Sequence, residues 1–346
     1  MLIENSDQAL STLNEAGFAA QGGGPIPQRR PRSVRRTTAI DIDWPDGMEQ
    51  EIRFQGSSRD ILTGEDMALT QIEQAWVEAR ADEARQFSTV RTSQLKEGIP
   101  ALRGSRGGGK LRGLLREAFP DPADQLGGHF LLLDDLAGAS LVSTWGWLAW
   151  TRRFEEHIER AKSNGLGGDT GTMRGVCFGL REGSGALDAE GYPHVGEQNC
   201  TRVTELANTD DPSGWHMPRQ TSGPATRRAR WIDLWREGTM IHVHGGFQDS
   251  ALEQDGGRIA VHEYRFTAAI EEPSGLIAEI KAVPHVLPHR ECPAAVHGVN
   301  RLIGRPVANL RIDVPEMFAR EAGCTHLNDV LRALVCVPAL AAHLPQ

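Results

Sequence analysis

Two tyrosines and five cysteines are all that 346 residues contain of these types, and no stretch reaches eighteen consecutive apolar residues. The missing apolar run excludes a membrane-spanning helix. An odd cysteine count without paired spacing argues for reduced thiols rather than a disulfide framework. The opening residues MLIENSDQAL carry acids where a secretory leader would carry basic and then apolar residues, so a cytoplasmic location is expected. A basic excess is also lacking. Lys and Arg number 37 against 46 Asp and Glu, a net charge of −9, which argues against a general nucleic-acid binder. With 39% hydrophobic and 24% charged residues, the chain is not largely disordered. Its length implies one large domain with an insertion, or two domains, at roughly 100–200 residues each.

The pattern along the chain points to an α+β fold. Residues 1–36 read as a weakly ordered lead-in whose arginines, Arg29, Arg30, Arg32, Arg35 and Arg36, form a solvated charge run. Thr37–Asp43 and Gln50–Phe54 flank a turn at Trp44–Gly47 and predict a hairpin. Leu69, Ile72, Ala75, Trp76 and Ala79 have helical spacing and predict a helix over Asp66–Gln86. A short helix is expected over Lys110–Ala118, a buried strand at Phe130–Leu133 and a tryptophan-rich helix over Ser143–Ala161. Loops with short strands should fill Ala161–Gly223. Met240–Phe247, Arg258–Ala268 and Leu276–Val283 then read as an antiparallel meander. Helices follow at Ala294–Ile303, Val307–Arg320 and from Thr325 to Ala342. The expected architecture is an antiparallel sheet with C-terminal helices packed on one face.

Two near-motifs carry little. Gly104–Lys110 fits most of a phosphate-binding loop, but Leu111 stands where a hydroxyl is needed for Mg²⁺. His242 and His244 project from one strand face, yet a third ligand must come from elsewhere. A richer constellation lies near the C-terminus. Thr325 is placed as an N-cap before Leu327, Val330, Leu331 and Leu334, which puts Cys324 and His326 at a helix start. The helix dipole there favours a thiolate and disfavours an imidazolium. His262 alternates in phase with Ala260, Tyr264, Phe266 and Ala268, so it faces inward and needs a partner or ligand.

Val261-His262-Glu263-Tyr264, Glu291-Cys292-Pro293 and Gly323-Cys324-Thr325-His326-Leu327 occur here in that order, after Arg35-Arg36-Thr37-Thr38 and Arg59-Asp60. On these motifs the chain resembles the family called domain of unknown function 2889. The resemblance covers residues 30–62 and 227–342. It implies a core of 37–62 and 227–346, with 63–226 as a large mixed insertion that makes this a long form. It also implies that Asp60, His262, His326 and Cys324 line one cleft, with Cys292 structural.

Three functional readings follow. The preferred one is a metal-independent acid–base lyase acting on a carbon–carbon bond of a small, lignin-like aromatic compound, without a cofactor. His262 or His326 would move the proton and Asp60 would orient it. Arg227 and Arg228, with Arg230, would hold a phenolate or carboxylate, and Trp145, Trp231, Trp235 and Tyr264 would wall an aromatic ligand. The second reading is a zinc enzyme using His262, Cys324 and His326. The third is a non-catalytic ligand-binding or interaction protein in which these groups form a buried polar network. Small molecules are the expected partners, not nucleic acid or membrane, and a homodimer is the expected assembly.

Overall fold

The computed structural model describes residues 20–94, 99–151, 153–163, 171–194, 199–216 and 219–345. The first nineteen residues of the expected lead-in lie outside this set. Among the described residues the framework is one nine-stranded antiparallel sheet, in the order β4-β3-β2-β1-β6-β7-β8-β5, with β9 also pairing β8. The strands are β1 (Ser33–Asp43), β2 (Ile52–Thr63), β3 (Leu69–Ala81), β4 (Phe87–Thr92), β5 (Thr201–Val203), β6 (Ala225–Glu237), β7 (Met240–Leu252), β8 (Arg258–Glu271) and β9 (Leu276–Val286). The helices are α1 (Gly109–Ala118), α2 (Gly128–Val142), α3 (Trp145–Thr151), α4 (Phe154–Ser163), α5 (Leu310–Met317), α6 (Thr325–Ala333) and α7 (Val337–Ala341), with a 3-10 helix over Cys292–Leu302. The expected α+β class is therefore present.

One face of the sheet carries the helices. Over β6–β9, residues such as Ile232, Phe247, Tyr264 and Phe266 pack on Val299, Leu310, Leu327 and Leu331. Over β1–β3, Ile40, Phe54 and Val77 pack on Leu115, Phe130, Leu132 and Leu136. The other face is partly covered by chain segments that bring Ile26, Leu206 and Trp215 onto Ala229 and Trp231.

The helix expected over Asp66–Gln86 is instead β3. Ala75, Val77, Ala79 and Ala81 are buried while Trp76 is exposed, a period of two that won over the spacing of three and four. Pairing with β2 over twelve register positions supplies the hydrogen bonds that settle it. The strand expected at Phe130–Leu133 is the first turn of α2, in which every residue but Leu141 is buried. A short apolar run does not distinguish a buried strand from a buried helix. The tryptophan-rich helix is divided into α3 and α4. Residues 63–226 supply β3, β4 and α2 to the common sheet and core.

Of the N-terminal arginines, Arg30 and Arg32 are exposed as expected, but Arg29, Arg35 and Arg36 are not a solvated run. Arg35 binds Asp233 through Nε and Nη2 at 2.5 and 2.7 Å, Arg36 binds Asp60 at 2.7 and 2.5 Å, and Arg29 holds Asp211. Arg35 and Arg36 are buried on opposite faces of β1, and each closes a cross-strand ion pair.

Candidate functional site

The site begins with strand register. Asp249 on β7 and His262 on β8 are direct cross-strand partners, and the next pair is Ser250 with Ala260. Val261 is thus the extra residue of a β-bulge, which re-aims the strand at this point. The bulge breaks the expected phase of Ala260 with His262, while His262, Tyr264 and Phe266 keep to the helical face. Glu263 points to the other face, where Gln248 Nε2 and the Gly23 amide donate to it.

His262 Nδ1 lies 3.1 Å from Asp249 Oδ2. Arg228 on β6 grips the same carboxylate in a fork, Nε to Oδ1 at 2.9 Å and Nη2 to Oδ2 at 3.0 Å. Burial pushes the Asp249 pKa up, but the Arg228 guanidinium and the His262 contact outweigh it and hold the carboxyl below the usual range. A fixed carboxylate accepting from Nδ1–H leaves the His262 Nε2 as the basic nitrogen. Above this pair, α6 delivers His326. Its ring stacks on His262 with centroids 3.5 Å apart and planes 21° from parallel. Burial lowers the pKa of both imidazoles, and in His326 the neighbouring His262 adds to the effect. Both are neutral rings at physiological pH. His326 Nε2 is buried and has no hydrogen-bond partner among the described residues.

A charged lattice holds the pair in place. Arg228 Nη1 also donates to Asp329 of α6 at 3.1 Å. Asp329 accepts from Arg112 and Arg332, and Arg332 Nη2 binds Asp134 of α2 at 2.5 and 2.7 Å. Gly138 makes this possible: a Cβ there would lie 1.8 Å from Arg228 Nη1, so only glycine lets α2 pass over the guanidinium.

The two histidines open onto a cavity of about 270 Å³ at the end of the sheet where β1, β3, β7 and β9 finish. Trp44, Trp145, Trp147, Leu141, Val142 and Leu287 form much of its apolar wall, with Trp44 and Trp147 edge to face at 5.8 Å. His194 and His289 also line it. Burial lowers His289 to about 4, with the nearby His262 and His194 contributing.

The expected site residues divide. His262, His326, Cys324 and Trp145 line this cavity. Tyr264 is buried behind it and its hydroxyl donates to Cys324 Sγ at 3.4 Å. The helix start at Cys324 favours a thiolate, yet burial pushes the thiol pKa up, so it remains a thiol. Cys324 itself is the N-cap position and Thr325 the first helical residue, one step from expectation.

Asp60 does not join the site. It sits on β2, locked to Arg36, and β1, β6 and β7 intervene before β8. Asp249 occupies the role expected of it. Arg227 and Arg228 are not free to hold substrate: Arg227 binds Asp41 at 2.7 Å on the far face, Arg228 binds Asp249 and Asp329, and Arg230 binds Asp135 at 2.9 Å. Positively charged residues on buried strands were recruited by carboxylates on their neighbours rather than by a ligand. Trp231 and Trp235 are also on the far face. Trp231 is fully buried against Ile26 and Trp215, and Trp235 stacks on His242 at 5.5 Å.

Among the described residues, one group of potential metal ligands converges: Asp249, His262 and His326, with ligand atoms within 4.8 Å of one another. Cys324 is not part of it. Asp249 escaped notice because the strand was expected to stop at Phe247. Counted from the hairpin turn, even a longer β7 would have paired Asp249 with Val261; only the bulge brings it opposite His262.

Residues 226–339 match the model of the family described as "Protein of unknown function (DUF2889)". The matched segment contains Asp249, His262, Cys324 and His326. No curated protein and no solved structure matches the chain. Among the described residues no helix is long and apolar enough to cross a membrane.

Proposed function

We propose that this chain, whose residues 226–339 carry the family segment, is an acid–base enzyme acting on a small aromatic compound. The observation that carries the reading is the Asp249–His262–His326 group opening into a tryptophan-walled cavity. Asp249 fixes the tautomer of His262, whose neutral ring is ready to accept a proton near neutral pH. His326, also neutral, packs on the same ring and limits its motion. The aromatic wall supplies a large apolar contact area for a planar ligand.

The reaction class we propose is carbon–carbon lysis next to an aromatic ring, with loss of a hydroxymethyl group as the simplest case. His262 takes the hydroxyl proton, the C–O bond becomes C=O as the C–C bond breaks, and formaldehyde leaves. The electron pair released on the aryl-bearing carbon is quenched by the proton that His262 carries. No cofactor is needed to balance this step. A folded His262→Gln variant should lose on the order of 10²–10⁴ in kcat on any substrate found. Full retention of turnover would refute the reading and favour a buried polar network of structural use.

A divalent-metal reading is favoured by one specific observation, the 4.8 Å convergence of Asp249, His262 and His326. The bidentate Arg228 grip and the His262 Nδ1 contact occupy much of the carboxylate, which favours the orienting role. Metal analysis of purified protein separates the two: a stoichiometric ion whose removal abolishes turnover supports the metal enzyme, and turnover that survives chelation supports acid–base chemistry alone.

A further inference from the structure

The same cavity has a second polar feature, away from the histidines. Arg85 lines it from the turn between β3 and β4. Its backbone adopts a left-handed conformation, φ 64°, which costs a non-glycine residue roughly 1 kcal/mol or more. The turn is tied down by the Arg85 amide on Asp82 O at 2.9 Å and by the Gly107 amide on Arg85 O at 2.9 Å. Among the described residues no carboxylate pairs with the Arg85 guanidinium. Glu83, two residues away, is engaged by Arg160. Burial, and then the neighbouring Arg106, lower Arg85 to about 10, so it is still a cation at neutral pH. The chain therefore maintains a strained, partly desolvated cation without a counter-charge on the wall of its ligand cavity. Arg35, Arg36, Arg227, Arg228 and Arg230 are each met by an aspartate. Arg258 and Arg311, which are also held at about 10 by burial, are met by serine and backbone oxygens instead.

We propose that Arg85 is the anion-recognition residue of the cavity and that the ligand is an elongated aromatic carboxylate. Its acid group would meet Arg85, and its far end would reach His262. Five inter-strand steps separate β3 from β8, a span of roughly 24 Å across the sheet at ~4.8 Å per step. Arg85 and His262 thus line the cavity from opposite sides of the sheet, which favours an elongated ligand over a compact one. The apolar wall between them, including Trp44, Trp147 and Leu141, suits a body of two rings. The carboxylate supplies the counter-charge that Arg85 lacks, in a partly desolvated site where the contact gains strength. The inference rests on the acid–base reading only for the ligand's reacting end; the anion site stands on Arg85 alone.

The test uses binding, so it is independent of turnover. Binding of 4-phenylbenzoate and of its neutral amide is measured on the full chain by calorimetry and tryptophan quenching. Wild type should bind the carboxylate at least tenfold tighter than the amide. His262→Gln should keep that preference, and Arg85→Gln should reduce it to within twofold. Arg85→Gly removes the cation and relieves the left-handed backbone, so it should melt no lower than wild type while losing the preference. Equal affinity for acid and amide in wild type, no binding of either, or a preference that survives in both Arg85 variants overturns the proposal. Preference without turnover on any aryl substrate would leave the anion site standing and remove the lyase reading.

Discussion

Three side chains form the polar group that opens onto the cavity, and they are tuned by different means. Asp249 is kept ionised by Arg228, His262 is kept in one tautomer by Asp249, and His326 is kept neutral by burial. Because burial depresses His262 below its ordinary 6.5, the acid limb of kcat/KM should fall below that value. An acid limb above 7 in a pH–rate profile would contradict the assignment. Asp249→Asn should lower kcat by at least tenfold even where the fold survives, because the amide can present its NH₂ to His262 and favour the wrong tautomer. Unchanged kcat in that variant would remove Asp249 from the mechanism.

The same histidines set a pH dependence of stability. The folded chain holds His289 at about 4 and His326 well below 6.5, whereas both return to ordinary values on unfolding. Between those limits the unfolded chain binds more protons, so stability is full above pH 6.5 and declines as pH falls toward 4. Melting temperatures across that window should drop for wild type and drop less for His289→Gln. A flat wild-type profile would argue that these rings are not buried as described.

At the scale of elements, β7 and β8 were legible because β-branched and aromatic residues alternate along them. The inward turn of His262 could be read from the same alternation. The helix start at Cys324 was legible from the apolar spacing after Thr325. β3 was misread because Ala75 and Ala79 satisfy both a helical and a strand period, and only pairing to β2 decides between them. Asp249 and Arg85 were invisible for another reason. One depends on a bulge at Val261 and the other on a strained turn, and neither leaves a local pattern. Asp60 was assigned by its company in the sequence, whereas its pairing with Arg36 clamps β2 to β1. Asp60→Asn should therefore destabilise the fold, by roughly 3–5 kcal/mol if the buried charge of Arg36 is left unmet. Its kcat should stay near wild type in the folded fraction. Denaturant melts and single-turnover assays on that variant would check both, and a kcat loss without a stability loss would restore Asp60 to the site.

At the scale of the whole molecule, the family segment 226–339 is not self-sufficient. β6 pairs with β1 along eleven residues, and Asp329 and Arg332 meet Arg112 and Asp134 from the central segment. Expressed alone, 226–339 should show no cooperative melt by circular dichroism. A sharp transition would mean that the sheet tolerates loss of half its strands. The central segment also provides Trp145, Trp147 and Arg85, so residues 226–339 bring His262 and His326 and the remaining chain brings most of the cavity wall.

In the proposed reaction His262, oriented by Asp249, moves the proton in an aryl carbon–carbon lysis. Formaldehyde release from a panel of two-ring aryl carboxylates bearing a hydroxymethyl side chain, by wild type and by folded His262→Gln, tests it most directly. Release by wild type with at least a hundredfold loss in the variant is the predicted result. Equal release by both proteins, or none from any compound with wild type, would contradict it.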